Sequence, residues 1–313
     1  MGALPLELLL SPPVLTVVGL CIGSFLNVVV HRLPLMMERQ WWAEVAGHLS
    51  DVQAWRRVFA PRDAAARPTP EHEHTAQAIG HSVESLPALS VVRPRSRCPA
   101  CGHELRWFEN IPLLSWLFLR ARCSACSARI SARYPLVELA TAALFGAIAW
   151  RFGAAPATLA WCAFGATLVA LALIDWDTTL LPDSLTLPLL WGGLVAAAMG
   201  WTVPLASALW GAVAGYLALW TVYQLFKLAT GKEGMGHGDF KLLAALGAWL
   251  GWPMLLPIIL AASVIGAVVG IGMKFGGQLR EGRYVPFGPF LAGAGLAVML
   301  IGAPRVLDWL GWA

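Results

Sequence analysis

Residues 167–175 read Thr167-Leu-Val-Ala-Leu-Ala-Leu-Ile-Asp175, an apolar run that closes on a carboxylate. The uncharged stretch leading to it begins at residue 157. As a helix rising about 1.5 Å per residue, a run of this length nearly crosses the roughly 30 Å hydrocarbon layer of a bilayer. A charged group at the end of such a run is costly and by default suggests function. Comparable runs cover 13–31, 135–151, 157–175, 185–201, 203–227, 240–253, 255–273 and 287–303. The sequence therefore predicts an all-α polytopic membrane protein of about eight transmembrane helices. The sixth run is short and rich in glycine, so it is expected to tilt, break or begin inside the protein rather than in lipid.

Composition points the same way. Of 313 residues, 58% are hydrophobic and 13% charged, about half the roughly 25% charge of soluble domains. Mean hydropathy is +0.65. The N-terminus has no basic region before its apolar stretch, and His31-Arg32 follows it instead of a small-residue cleavage site. A retained first helix is expected rather than a cleaved signal peptide.

Basic residues set the expected orientation. With the N-terminus outside, the inward connections 32–133, 176–184, 228–240 and 274–286, with their flanks, carry 20 of the 22 Lys and Arg. Only Arg151 and Arg305 remain outside. Leaving out the long first connection, which weighs less in this rule, the ratio is still six to two. The net charge of +4 thus reflects cytoplasmic anchoring, with no nucleic-acid partner implied. Four regions follow: a first transmembrane helix over 1–34, a cytoplasmic insert over 35–92, a cysteine-marked module over 93–134, and a seven-helix core over 135–313. The insert reads as partly helical near Trp41 to Val58 and then as linker around Pro68, Pro70 and Glu71-His-Glu-His74.

Cys98-Pro-Ala-Cys101 and Cys123-Ser-Ala-Cys126 are two CxxC pairs separated by 21 residues. Each pair places two thiolates on one side of a tight knuckle, and two knuckles supply the four sulfurs of a tetrahedral Zn²⁺ site. In a reducing cytoplasm, metal binding is favoured over disulfides. A zinc ribbon is expected, inserted between the first and second spans. Its zinc is structural, because four protein ligands leave no open position. His103 reads as part of the turn closing the first knuckle. Cys21 and Cys162 read as small buried hydrophobes in apolar spans.

Asp239, in Gly236-His-Gly-Asp239 at the start of the sixth span, shares with Asp175 the expected cytoplasmic end of the bundle. Two carboxylates brought together can share one proton. The ionised one then takes a proton from water while the protonated one polarises a peptide carbonyl, giving general acid–base hydrolysis. Paired acids also serve secondary transporters as proton relays, and a lone aspartate at a helix end is often a cap. Asp183, after Pro182, fits a cap. Asp177 faces elsewhere on its helix and is expected to be solvated.

With these residues in place, the chain resembles the prepilin peptidases, the type 4 leader peptidases of bacterial type IV pilus and type II secretion systems. The resemblance rests on Gly23-Ser-Phe-Leu-Asn-Val-Val-Val-His-Arg-Leu-Pro34, both CxxC pairs and Glu109-Asn-Ile-Pro-Leu-Leu-Ser-Trp-Leu117. It continues through Arg133-Tyr-Pro-Leu-Val-Glu138, Ile174-Asp-Trp-Asp-Thr-Thr-Leu-Leu-Pro-Asp183 and Gly231-Lys-Glu-Gly-Met-Gly-His-Gly-Asp-Phe-Lys241. It implies that Asp175 and Asp239 are the catalytic aspartates, and that the location is the bacterial inner membrane. The implied substrates are prepilins and pseudopilins, cut on the cytoplasmic side after a glycine.

The resemblance also implies methylation of the new N-terminus with S-adenosylmethionine. No residue is assigned to that donor. The chain lacks a nucleotide-fold glycine pattern, and Arg120-Ala-Arg122 stands where relatives often carry a glycine. Among other matching positions, Gly23, Asn27 and His31 recur at helical spacing and suit helix packing. His237 occupies a variable place in its motif, and Lys241 suits an interfacial anchor.

Overall fold

Inside hydrocarbon a backbone amide finds its partner only within its own helix or in a closed barrel. This chain takes the helical solution. The computed structural model describes residues 6–59, 67–277 and 285–312. In chain order the α-helices are α1 (Leu6–Leu9), α2 (Pro12–Ser50), α3 (Val52–Phe59), α4 (Pro70–Glu84), α5 (Leu114–Phe118), α6 (Arg133–Phe152) and α7 (Pro156–Thr178). They continue with α8 (Asp183–Ala198), α9 (Leu205–Thr230), α10 (His237–Leu250), α11 (Leu255–Phe275), α12 (Gly288–Ile301) and α13 (Ala303–Leu310). Among the described residues, β pairing is confined to two isolated bridges, Arg97 with Glu104 and Arg122 with Arg129.

Each of the eight expected apolar segments coincides with a helix. Five helical stretches, Pro12–Ser50, Arg133–Phe152, Pro156–Thr178, Leu205–Thr230 and Trp252–Phe275, are long and apolar enough to cross a membrane. The pair α12–α13, bent by 101°, makes a sixth if taken as one broken span. Helix α8, with 16 residues, and α10, with 14, fall short of the roughly 20 that crossing requires. The protein is a multi-pass membrane protein. The basic Arg280 and Arg283 of the 274–286 connection lie outside the described residues.

Two compact units are present, one made of residues up to Val30 together with Arg106 onward, the other of His31–Leu105. In the second unit the helix begun at Pro12 continues to Ser50. Buried Arg32 donates to the Ser90 carbonyl at 3.0 Å, and Arg39 to that of Pro87 at 2.8 Å. Composition points to a linker after Val58, yet the chain from Pro70 is helical. Thr69 caps it by accepting from the His72 amide, Pro70 takes a first-turn position, and Glu71 and Glu73 face the positive helix end. The same prolines that mark a linker in the sequence start this helix.

In the first unit, α10 is the central element. Every residue from Asp239 to Leu250 except Lys241 is buried. A helix sheathed by protein need not span the bilayer itself, which explains its short length. Glycines let its neighbours come this close. A Cβ at Gly215 on α9 would lie 2.6 Å from the Leu243 carbonyl oxygen, and the backbones of Gly211 and Gly247 face each other directly. On the other side, Gly193 of α8 makes room for the Trp249 indole, which donates to the Leu189 carbonyl at 2.7 Å. The same indole packs on Phe164 and Trp161 of α7, with ring centroids 4.9 and 5.2 Å away.

Gly19 and Gly23 bring α2 against α6, where a Cβ would lie within 2.8 Å of Ala142 Cα and 2.7 Å of Glu138 Cα respectively. Asn27 donates its amide to the carbonyls of Gly23 and Tyr134, each at 3.2 Å. The small-polar stripe is thus a packing face as far as Asn27, while His31 is exposed. Cys162 is buried as expected; Cys21 is exposed, on a face of α2 turned away from the helices around it.

These contacts predict opposite outcomes at two glycines. Gly215→Ala drives a methyl into backbone that cannot give way, and is expected to destabilise the protein by about 1–3 kcal/mol. Gly293→Ala, where a Cβ meets nothing within 4 Å, is expected to be neutral or to stabilise by up to about 1 kcal/mol through helix propensity. Thermal unfolding of both variants in detergent measures the difference.

Candidate active site

Asp175 sits three residues before the end of α7, whose last turn is closed by Thr179 in the left-handed conformation (φ 56°), its amide donating to the Asp175 carbonyl. That closure ends the helix, and the connection to α8 then carries Leu181 against Gly238 and Gly288. Asp239 lies in the first turn of α10, after Gly236 at the cap position. Both carboxylates are buried, at 4% and 7% exposure, and both adjoin Leu181, which packs against Gly288, whose amide binds Asp175, and against Gly238, the residue before Asp239. The structure therefore brings together the two acids that topology and motif select.

Their surroundings differ. The Asp175 Oδ2 accepts a hydrogen bond from the Gly288 amide at 3.0 Å. Gly288 opens α12, so this amide is one of the orphan donors of a helix N-terminus, where negative charge is favoured. A Cβ on Gly288 would stand 2.5 Å from the same Oδ2. Nothing in the sequence reading marked Gly288. The available signal was the break Pro286-Phe-Gly-Pro289 at the head of the last span, where a helix start and a missing Cβ coincide. The Asp239 Oδ1, by contrast, is buried without a hydrogen-bond partner among the described residues. Its lone pairs are thereby left for a group that enters the site. One carboxylate is oriented by a backbone donor and the other makes no hydrogen bond through Oδ1 among the described residues, which suits two different roles in proton transfer.

Leu181, in the α7–α8 connection, joins the two halves. A Cβ at Gly238 would lie 2.7 Å from the Leu181 Cβ, and one at Gly288 would lie 3.2 Å from its Cδ1. Gly238 of the motif, like Gly288, is thus explained by packing of the starts of α10 and α12 around one leucine, next to the acids.

The neighbouring charges are tied to one another. Asp183 does not cap α8: Pro182 holds the cap position, and Asp183 is the first helical residue. Its carboxylate instead receives Lys241 through both oxygens, at 2.7 and 2.8 Å. An ammonium is a stronger partner for a carboxylate than a neutral amide. Lys241 is correspondingly a tie between α10 and α8 and not only an interfacial anchor. Asp177, expected to be solvated, is paired with Arg133 in a two-pronged ion pair at 2.9 and 2.6 Å. Both ion pairs are partly exposed and so add little stability, about 0–1 kcal/mol each. Their effect is to take the accessible acids out of competition, leaving Asp175 and Asp239 as the buried pair. His237 packs its ring against Tyr223 and Phe240, at centroid distances of 5.2 and 5.3 Å.

The cysteines form two knuckles with one backbone pattern. The Cys98 amide donates to the His103 carbonyl and the Gly102 amide to the Cys98 carbonyl, both at 2.9 Å. Likewise the Cys123 amide donates to Ala128 and the Ser127 amide to Cys123, both at 2.9 Å. Gly102 and Ser127 take the positive φ that each turn requires, 73° and 58°. His103 closes the first knuckle through its backbone. The sulfurs of Cys98, Cys101, Cys123 and Cys126 all lie within 4.8 Å of one another. Four thiolates around a metal at about 2.3 Å would stand about 3.8 Å apart, so the cluster fits such an ion with small adjustments. We expect purified protein to carry about one zinc per chain, measured by plasma mass spectrometry. The double variant Cys123→Ser/Cys126→Ser is expected to lose it.

Two family models match the chain: the Bacterial Peptidase A24 N-terminal domain over residues 17–152 and the Type IV leader peptidase family over residues 162–271. Among curated proteins, the prepilin leader peptidase/N-methyltransferase of Stutzerimonas stutzeri is 48% identical over 99% of both chains. The protein of that name from Aeromonas salmonicida is 49% identical over 91% of this chain and 88% of its own. That from Pseudomonas aeruginosa is 48% identical over 94% of this chain and 92% of its own. No solved structure matches the chain. The matches run through the helices that carry both buried aspartates and through the cysteine knuckles, and they establish that this chain belongs to the type IV leader peptidase family.

Proposed function

We propose that the chain is a bifunctional membrane enzyme whose aspartic peptidase activity resides in Asp175 and Asp239. Its substrates in this reading are type IV prepilins and type II secretion pseudopilins. It cuts their basic leader after a glycine, where the leader meets the apolar helix of the substrate. The observation that carries the reading is the pair of buried carboxylates at one end of the bundle, one oriented by the Gly288 amide and one with an oxygen that has no hydrogen-bond partner among the described residues.

In the proposed mechanism the pair holds one proton between its two carboxyl groups. The ionised carboxylate removes a proton from the attacking water, and the protonated one donates to the scissile carbonyl oxygen as the tetrahedral intermediate forms. That proton is recovered when the intermediate collapses and the leaving amine is protonated. The Gly288 amide keeps the Asp175 carboxyl in one orientation throughout.

Methylation of the new N-terminus, with S-adenosylmethionine as donor, is the second activity we assign. The names of the relatives support it, and no residue here is given to it. We place the N-terminus outside and the cysteine module of residues 93–134, the preceding insert and both aspartates at the cytoplasmic face of the inner membrane, on the distribution of basic residues. Zinc, held by Cys98, Cys101, Cys123 and Cys126, is structural in this reading. All four positions of a tetrahedral ion are filled by protein, which leaves none for water or substrate.

The test is incubation of the purified protein with a prepilin in detergent, read by mass spectrometry. Loss of a leader-length fragment is expected, followed by the gain of one methyl group only when S-adenosylmethionine is supplied. An intact substrate would overturn the peptidase reading, and cleavage without methyl gain would overturn the second activity alone. A further expectation concerns the oriented carboxylate. Gly288→Ala puts a methyl against Asp175 and is expected to slow cleavage on the order of 10²-fold, the cost of misplacing a reacting group by about 1 Å. The variant should leave the metal content unchanged.

A further inference from the structure

Buried Glu138 has no part in the dyad, and the segment it holds is unusual. Its Oε2 accepts a hydrogen bond from the Leu113 amide at 2.7 Å. Leu113 has φ 59° and ψ −49°, and the Leu114 amide donates back to the Pro112 carbonyl at 2.5 Å. This is a γ-turn of the rare positive-φ kind, strained for any residue with a side chain. A buried carboxylate thus pins a strained turn at a fixed point on α6. That helix begins at Arg133, so Glu138 lies about 7 Å along its axis from the start. The turn therefore reaches beside α6 beyond the charged end of a membrane-crossing helix.

The residues around the turn are apolar and uncovered. Trp107 is 79% exposed, Leu114 50%, Leu117 54% and Phe118 82%. Large exposed apolar side chains concentrated in one twelve-residue segment suit contact with another apolar medium. On α6, Leu136 and Leu139, either side of the Glu138 that holds the turn, are likewise exposed, at 62% and 44%. The segment and its C-terminal flank are rich in basic residues. Residues 106–133 contain five arginines and a single acid. That acid, Glu109, is buried and accepts the Arg106 amide at 2.7 Å. The Arg133–Asp177 ion pair ties the start of α6 to the end of α7, so the patch lies at the same end of the bundle as Asp175.

We propose that Trp107–Phe118 is a membrane wedge: its apolar tip enters the headgroup–acyl boundary of a bilayer, and Arg106, Arg120 and Arg122 engage anionic phospholipid headgroups around it. Glu138 sets the depth of the tip. The cost of the strained turn and of the buried carboxylate is offset by burying aromatic and leucine side chains in lipid. The basic rim matches the negative surface of such a membrane. An apolar rim without arginines would suit a protein partner as well; this one favours lipid phosphate. The proposal does not depend on the peptidase reading.

The test uses the full-length protein in nanodiscs containing phosphatidylglycerol and phosphatidylcholine, with a photoreactive residue placed by Phe118→p-benzoylphenylalanine. Ala125→p-benzoylphenylalanine, at an exposed position in the second knuckle, is the comparison. Irradiation is expected to yield several-fold more lipid adduct at 118 than at 125, with phosphatidylglycerol enriched among the adducts. Arg120→Gln/Arg122→Gln is expected to abolish that enrichment, since each arginine at an anionic surface is worth about fivefold in local lipid preference. Glu138→Gln keeps an acceptor for the Leu113 amide and should retain the adducts, whereas Glu138→Ala should reduce them. Equal yields at 118 and 125 would overturn the proposal. So would adducts at 118 formed with an added prepilin instead of lipid, which would make the segment a substrate-docking face.

Discussion

The close passage of α9 over α10 is the contact on which the rest of this structure depends. At Gly211, Gly215 and Gly247 the two backbones meet with no room for a Cβ. In lipid there is no hydrophobic drive to press one apolar helix on another, and small residues that allow close packing supply the association. Because α9 comes so near, α10 is enclosed, and because it is enclosed, it can be short and can carry a carboxylate in its first turn away from lipid. Asp239 is buried as a consequence of the close contacts that Gly215 and Gly211 of α9 make with α10 about one and two turns further along, at Leu243 and Gly247.

The second aspartate is placed by an independent device. Left-handed Thr179 closes α7 and sends Leu181 between Gly238 and Gly288, so the starts of α10 and α12 are registered against the end of α7. The free amide at the head of α12 then meets Asp175. Around this centre the Arg133–Asp177 and Lys241–Asp183 pairs fasten α6 to α7 and α10 to α8. Their energies are small, yet they settle which acids are committed. Four aspartates lie at this end of the bundle; among the described residues, two are held by cations and two are not.

Much of this was legible in the sequence because hydrophobic run length is a direct readout of helices in a membrane. All eight apolar segments are helical, and the cysteine spacing brought four sulfurs together. Asp175 and Asp239 were legible because a charge at the end of an apolar run is rare. Contacts made by backbone or by distant partners were not legible. Gly288 carries its role in an amide, which no residue type advertises. Asp183 looked like a cap because proline and aspartate commonly begin helices, and the lysine that claims it is 58 residues away. The helix from Pro70 was hidden by the prolines that also mark linkers, and Leu113 at positive φ contradicts its own residue preference.

In the proposed function the two buried carboxylates act as one unit. The direct measurement is the rate of leader removal by Asp175→Asn, Asp239→Asn and the double variant, each reconstituted in lipid and confirmed folded by its unfolding temperature. If the carboxylates share one proton and one task, either single variant falls to background, and the double variant is no slower than either, since groups acting as a unit are not additive. Substantial cleavage by either folded single variant would contradict the dyad and with it the function proposed here.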